Sequence, residues 1–331
     1  MTKFTPNKIK HLEKLSNAKG VIAAAAMDQR GSLKKSIAKE KGVDPSQITD
    51  AMMEEFKTAV TKVLTPHSSA ILLDPEWGLP AARARSKDCG LLLAYESTGY
   101  EQNTPGRVPK LIPQWTVSKS IAEGANAIKI LLYYSPFEDK KINEIKHAWV
   151  ERIGAECAFH DIPYFLEFVG YPVKEGEEEN SLSFAKQKPE IVRKSMEEFS
   201  KDRYHVDVLK VEIPVNMKFV QGAKAFKGEA AYTKDEAKKL FQSTAAATDK
   251  PFIYLSAGVS DEEFRESLEL AAESGVKYNG VLCGRATWKE GIPVYAKSGA
   301  AALEKWLSDR GVQNIQALNA VLEKGAVPWK R

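Results

Sequence analysis

The chain has 331 residues, 43% of them hydrophobic and 28% charged, enough apolar material for one large domain or two ordinary ones, which excludes a disordered or fibrous protein. Its 48 Lys and Arg against 44 Asp and Glu leave a formal charge of only +4 with no cluster along the chain, which speaks against a nucleic-acid or membrane-surface footprint. The 21 Gly and 16 Pro are near average usage and punctuate elements rather than forming a low-complexity tract.

The N-terminal MTKFTPNKIKHLEKLS lacks the apolar stretch of a signal peptide. Within it, Thr5 before Pro6 predicts a capped helix with Ile9, Leu12 and Leu15 on one face and Gly20 as its stop. Eight short, nearly unbroken apolar runs follow, at 21–27, 70–73, 91–95, 127–134, 164–169, 206–213, 252–255 and 280–283. The first is the longest purely apolar run and is far too short to span a membrane. Between the runs lie amphipathic stretches at 46–64, 138–159, 188–199, 233–248 and 260–274, with Ser46 and Thr233 as N-caps and Gly275 as a C-terminal stop. The most polar stretch, EGEEEN at 175–180, reads as a solvated loop.

Runs apolar on both faces suit parallel strands covered by helices. Their eightfold alternation with helices, inside one undivided composition, predicts an α/β fold: a (β/α)8 TIM barrel with an extra N-terminal helix, forming a single domain over 1–331. A doubly wound open sheet is the runner-up. No G-x-G-x-x-G follows the first run and no G-x-x-x-x-G-K-[ST] occurs, which weakens its nucleotide-binding versions. Cys89, Cys157 and Cys283 are widely separated among apolar or small residues, the pattern of reduced thiols in a cytoplasmic protein.

A barrel places its active site at the C-terminal ends of the strands. The runs end in or near Asp28, Asp74, Glu96, Lys129, Glu167, Lys210, Ser256 and Arg285, so nearly every strand offers a polar group to one mouth. Lys129 and Lys210 differ from the rest because each is embedded within an apolar strand. Desolvation and a second nearby cation both favour a neutral amine, hence a nucleophile; the competing reading pairs each lysine with a carboxylate inside the barrel. Glu167 and Glu212 are the candidate partners, and alternation puts Lys210 and Glu212 on one face. The loops Leu255-Ser256-Ala257-Gly258 and Cys283-Gly284-Arg285-Ala286 join flexible backbone donors to one guanidinium and read as an anion site. The five histidines, His11, His67, His147, His160 and His205, show no metal-ligand spacing, and no G-x-S-x-G occurs; a metal held only by carboxylates stays open.

The segments MDQRGSLKK (27–35), LLDPEWGLPA (72–81), GLLLAYESTGY (90–100), IKILLYY (128–134), DVLKVEIPVN (207–216), YLSAGVS (254–260) and GVLCGRATW (280–288) resemble, in order and over almost the entire chain, the class I tagatose 1,6-bisphosphate aldolases of the LacD type. The resemblance implies a (β/α)8 barrel using a lysine Schiff base, with no metal and no other cofactor. It implies Lys210 as the Schiff-base lysine, Glu167 as the proton-transferring carboxylate, and Asp28 and Lys129 as polar partners around the reacting carbons. Ser256, Gly284 and Arg285 would hold a phosphate, with Gln29 and Leu255 as further substrate contacts. The implied partner is a phosphorylated ketose rather than nucleic acid or membrane, and a homo-oligomer stays open. An aldolase for fructose 1,6-bisphosphate or another phosphorylated ketose is the alternative within the class; a sugar-phosphate-binding regulatory barrel without turnover is the alternative outside it. The loops EQNTPGRVPK (101–110) and EGEEEN are the most individual parts of the chain.

Overall fold

A computed structural model describes residues 4–97 and 105–330. Eight parallel strands close into a barrel: β1 (Ile22–Ala26), β2 (Ala70–Leu73), β3 (Gly90–Ala94), β4 (Ala127–Tyr133), β5 (Tyr164–Val169), β6 (Val208–Glu212), β7 (Phe252–Leu255) and β8 (Gly280–Cys283). Each pairs with its sequence neighbours, and β8 closes on β1 in the register Ile22 to Gly280. The closure depends on a glycine: Gly280 sits at φ +135°, and a Cβ there would lie 2.0 Å from the Ile22 carbonyl oxygen. This is the predicted (β/α)8 architecture, and the eight apolar runs are its eight strands with ends shifted by at most two residues. The open-sheet alternative is excluded by that closure.

The strands are buried on both faces, which is why they read as continuous apolar runs. Their alternation sorts side chains into an inner and an outer set. Ala24, Ala26, Leu72, Leu92, Ala94, Ala127, Phe165, Val208, Ile253 and Leu282 form one buried cluster inside the barrel. Small residues on β1 stand in the same cluster as Phe165 of β5, so large and small inner side chains pack together. The N-terminal helix α1 (Pro6–Lys14) adds Leu12 and the following Leu15 to this inner cluster, as does Trp329 near the C-terminus, so the end of the barrel at the strand starts is plugged.

The outer helices are α2 (Gly31–Lys41), α3 (Asp50–Leu64), α4 (Leu79–Ala84), α5 (Val117–Ala122), α6 (Lys140–Phe159), α7 (Leu182–Phe199), α8 (Lys234–Ala245), α9 (Asp261–Glu273), α10 (Arg285–Trp288), α11 (Gly291–Trp306, kinked at Gly299) and α12 (Val312–Gly325). Thr5 caps α1, and Thr233 with Glu236 forms a complete capping box on α8. Ser260 caps α9, with Gly275 just beyond it at φ +76°. Three expected boundaries were misplaced. α1 ends at Lys14 and Gly20 lies in the turn beyond. Ser46 caps nothing: Asp44 caps a 3-10 turn at Pro45–Gln47, and Thr49 starts α3. α7 begins at Leu182 rather than 188 and runs through Pro189; the carbonyl of Ala185, which that proline cannot serve, accepts from the Tyr232 hydroxyl at 3.4 Å. Residues 175–180 form a mostly exposed loop between β5 and α7, as expected. Positions 98–100 of the third-strand motif and 101–104 of the following loop lie outside the described residues. No helix among the described residues is long and apolar enough to cross a membrane.

Candidate active site

The inner alternation that fills the barrel continues past the strand ends and delivers the functional side chains. Two residues beyond inner Ala26, Ala94, Ala127, Phe165, Val208 and Leu282 come Asp28, Glu96, Lys129, Glu167, Lys210 and Gly284. They open into a cleft of about 930 Å³ at the C-terminal mouth, whose walls include every candidate from the sequence: Asp28, Gln29, Lys129, Glu167, Lys210, Leu255, Ser256, Gly284 and Arg285.

Asp74 is the exception among the strand-end groups. It is fully buried against the Lys57 ammonium of α3, and its Oδ2 accepts from the Trp77 amide at 2.9 Å, so it does not reach the cleft. β2 ends at Leu73 and the backbone turns there, which breaks the alternation that carried its neighbours inward. Lys57 also donates to the carbonyls of Met27 at 2.7 Å and Gln29 at 2.8 Å, on either side of Asp28.

Two ammonium groups share one carboxylate oxygen at the centre. Glu167 Oε2 lies 2.8 Å from Lys210 Nζ and 2.8 Å from Lys129 Nζ. Lys129 further contacts Asp28 Oδ2 at 2.7 Å and Glu96 Oε1 at 3.2 Å. Burial by itself pushes the Lys129 ammonium towards neutrality, but the attraction of Asp28, Glu167 and Glu96 outweighs it and holds the group well above the ordinary lysine range. The expected depression is therefore overturned at Lys129: a desolvated lysine surrounded by three carboxylates stays charged. Burial also works to raise Asp28, yet Lys129 and Lys210 win and hold its carboxyl far below the usual range. At Glu96 burial prevails over the pull of Lys129 and Arg30 and pushes the carboxyl up. Among the described residues, Lys210 makes its one ion pair with Glu167.

Glu212 stands apart from Lys210 although it shares the strand face. Its Oε1 meets Lys188 Nζ of α7 at 3.0 Å and its Oε2 accepts from the Gly170 amide at 2.7 Å. The loops after β7 and β8 meet as read: Ala257 and Gly258 take φ +48° and +79°, and a Cβ on Gly258 would fall 2.8 Å from Arg285 Cζ, so the guanidinium lies against that glycine. Lys289 fixes the loop by donating to the Gly258 and Val259 carbonyls at 3.1 and 3.2 Å. Arg285 itself is exposed to the cleft.

Sequence reasoning missed Arg30 and Lys188. Arg30 is buried, donates to the Glu96 carbonyl at 2.8 Å and to Glu76 Oε2 at 2.9 Å, and lines the cleft. Its place directly after Asp28 and Gln29 was the available signal; Lys188, on a helix, gave none. The three cysteines are free and buried.

A family model described as DeoC/LacD family aldolase matches residues 22–290, which span the whole barrel and the mouth just described. The chain belongs to this aldolase family. Within it, the chain is 52% identical to tagatose 1,6-diphosphate aldolase 2 of Enterococcus faecalis, over 99% of this chain and 97% of that protein. It is 50% identical to tagatose 1,6-diphosphate aldolase of Listeria monocytogenes serotype 4a, covering 99% and 95% of the two chains, and 50% identical to that of Staphylococcus aureus strain MW2, covering 98% of each. Its fold matches fructose-bisphosphate aldolase from Plasmodium falciparum with a TM-score of 0.69 at 14% identity, over 98% of this chain and 97% of that one. The family assignment agrees with the resemblance drawn from the strand-end motifs.

Proposed function

We propose that this aldolase reversibly cleaves tagatose 1,6-bisphosphate into dihydroxyacetone phosphate and glyceraldehyde 3-phosphate through an imine on Lys210. One observation carries the choice of lysine: Lys129 is locked among three carboxylates, whereas among the described residues Lys210 has one ion-pair partner, Glu167, on an oxygen it shares with Lys129. The substrate specificity is supported by the names of relatives 50–52% identical over nearly the full chain.

Glu167, 2.8 Å from Lys210 Nζ, takes the proton that frees the amine, and the amine attacks the C2 carbonyl. Glu167 returns that proton to the carbinolamine hydroxyl, which leaves as water and gives the iminium. Glu167 then takes the C4 hydroxyl proton, the bond between C3 and C4 breaks, and its electron pair moves into the iminium to leave an enamine while the aldehyde departs. Protonation of the enamine at C3 and hydrolysis of the imine release the second triose phosphate and restore Lys210. Lys129 keeps its positive charge throughout and steadies the Glu167 and Asp28 carboxylates between proton transfers. Ser256, Gly284 and Arg285, with Leu255 and Gln29 beside them, take the C1 phosphate; β7 adjoins β6, so this anion site lies on the same side as the imine carbon.

We assign the whole chain to one working unit, because α1 and Trp329 both pack into the inner cluster of the barrel. The cytoplasm is the setting we assign, in keeping with three free buried cysteines and a phosphorylated substrate. Incubation with substrate and borohydride, followed by peptide mass spectrometry, tests the central step: a reduced adduct on Lys210 is expected, and an adduct on Lys129, or none from an active preparation, overturns it. Triose phosphate release measured across ketose bisphosphates, before and after exhaustive chelation, tests the substrate and the metal-free reaction.

A further inference from the structure

Glu96 is a carboxylate of the mouth to which the mechanism above gives no proton transfer. It is 2% exposed, stands on the wall of the cleft, and spends one oxygen only: Oε1 lies 3.2 Å from Lys129 Nζ and 3.5 Å from Arg30 Nη2. Oε2 is buried and, among the described residues, has no hydrogen-bond partner. A buried polar atom left unmatched carries a free-energy penalty, so such an atom on the wall of a binding cleft marks a place where a ligand completes the structure.

The barrel order says which part of the ligand reaches it. Strands follow one another around the barrel in chain order, so β3, which carries Glu96, stands diametrically opposite β7, which carries Ser256. With the C1 phosphate at Ser256 and Arg285 and with C2 at Lys210, the remaining carbons run across the mouth towards β3. We infer that Glu96 is a substrate-contacting residue whose Oε2 hydrogen-bonds a hydroxyl of the half of the ketose that departs as the aldehyde, from C4 outward. The inference rests on the imine reading above. Both cations sit on Oε1, which leaves Oε2 to meet that hydroxyl.

Glu96→Gln presents the same carbonyl to Lys129 and Arg30 and an amide donor where Oε2 stands; Glu96→Ala removes both. We expect the glutamine variant to keep kcat/KM for ketose bisphosphate cleavage within about fivefold and the alanine variant to lose tenfold or more, with the ratio between the two C4 epimers altered by about threefold or more. Dihydroxyacetone phosphate contains no aldehyde half, so its borohydride trapping on Lys210 should stay within about twofold of the unsubstituted enzyme in both variants. Trapping that falls in step with cleavage would mean that Glu96 acts through Lys129 on Glu167, and a glutamine variant as damaged as the alanine one would mean that it acts as a charge; either overturns the inference. If the alanine variant loses its native circular dichroism spectrum, Glu96→Met, similar in length and without a donor, supplies the same comparison. Failure to trap any adduct on Lys210 in the unsubstituted enzyme would instead count against the imine reading itself.

Discussion

Replacing Lys57 by Met tests how the barrel holds Asp28 in place. Lys57 and Asp74 are both fully buried, and their ion pair is accompanied by the hydrogen bonds from Lys57 to the carbonyls of Met27 and Gln29. Methionine matches the aliphatic length but removes the charge, leaving the Asp74 carboxylate, among the described residues, with the Trp77 amide as its hydrogen-bond donor and two carbonyls without the Lys57 donor. Removing one partner of a buried pair costs about 3–5 kcal/mol, and each buried carbonyl left unmatched adds about 1 kcal/mol. Since a domain has roughly 5–15 kcal/mol of stability in total, the variant should lose about half of it. Urea denaturation followed by circular dichroism should show a midpoint lowered by about half at an unchanged slope. Adding Asp74→Asn removes the stranded charge while leaving an oxygen for Trp77, so the double variant should regain part of the loss. A single variant within about 1 kcal/mol of the unsubstituted protein, or a double variant less stable than the single, would refute the buried-pair account. Because the two carbonyls flank Asp28, the folded fraction of Lys57→Met should also cleave substrate more slowly.

Glu167→Gln should keep the fold and ligand binding while lowering turnover by roughly 10² to 10⁴, measured by coupled triose phosphate release; an unchanged rate would move the proton transfers to Asp28. Arg285→Ala should chiefly raise KM, more for ketoses bearing the C1 phosphate than for analogues without it, and equal losses for both would contradict the anion site. Lys146, fully buried beneath the Tyr171 hydroxyl at 2.9 Å, has its ammonium pushed by burial from 10.5 down to about 8, against the pull of Glu138. Its native form binds fewer protons than the unfolded chain between those values, so stability should rise as pH climbs through that window, and Lys146→Met should flatten the rise seen in urea midpoints.

Much of this was legible in the sequence because one rule did double work. The alternation that fills a barrel with Ala24, Leu92, Phe165 and Val208 also fixes, two residues further on, what projects into the mouth, so the apolar runs revealed the strands and their trailing residues revealed the site. The failures arose where partners far apart in sequence decide the outcome. Nothing near Asp74 signals that Lys57 on another element captures it. The charge state of Lys129 depends on carboxylates from β1, β3 and β5, and a reading of one strand sees its burial but not its neighbours. The start of α7 was missed because Pro189 looks like a boundary, while the group that relieves its carbonyl, Tyr232, is visible only in three dimensions.

The plug formed by Leu12, Leu15 and Trp329 turns the barrel into a vessel with one opening. Substrate enters and both trioses leave by the same rim. On the proposed imine mechanism, the product still bonded to Lys210 waits deep in the vessel while the free aldehyde passes out above it. The order of release is thereby set by depth as well as by bonding. On the same mechanism the queue runs backwards in the condensation direction, the ketone loading first and the aldehyde arriving last against the wall that carries Glu96. Traffic through this enzyme is thus ordered by a packed barrel interior, closed at the end far from the chemistry where α1 and Trp329 join it.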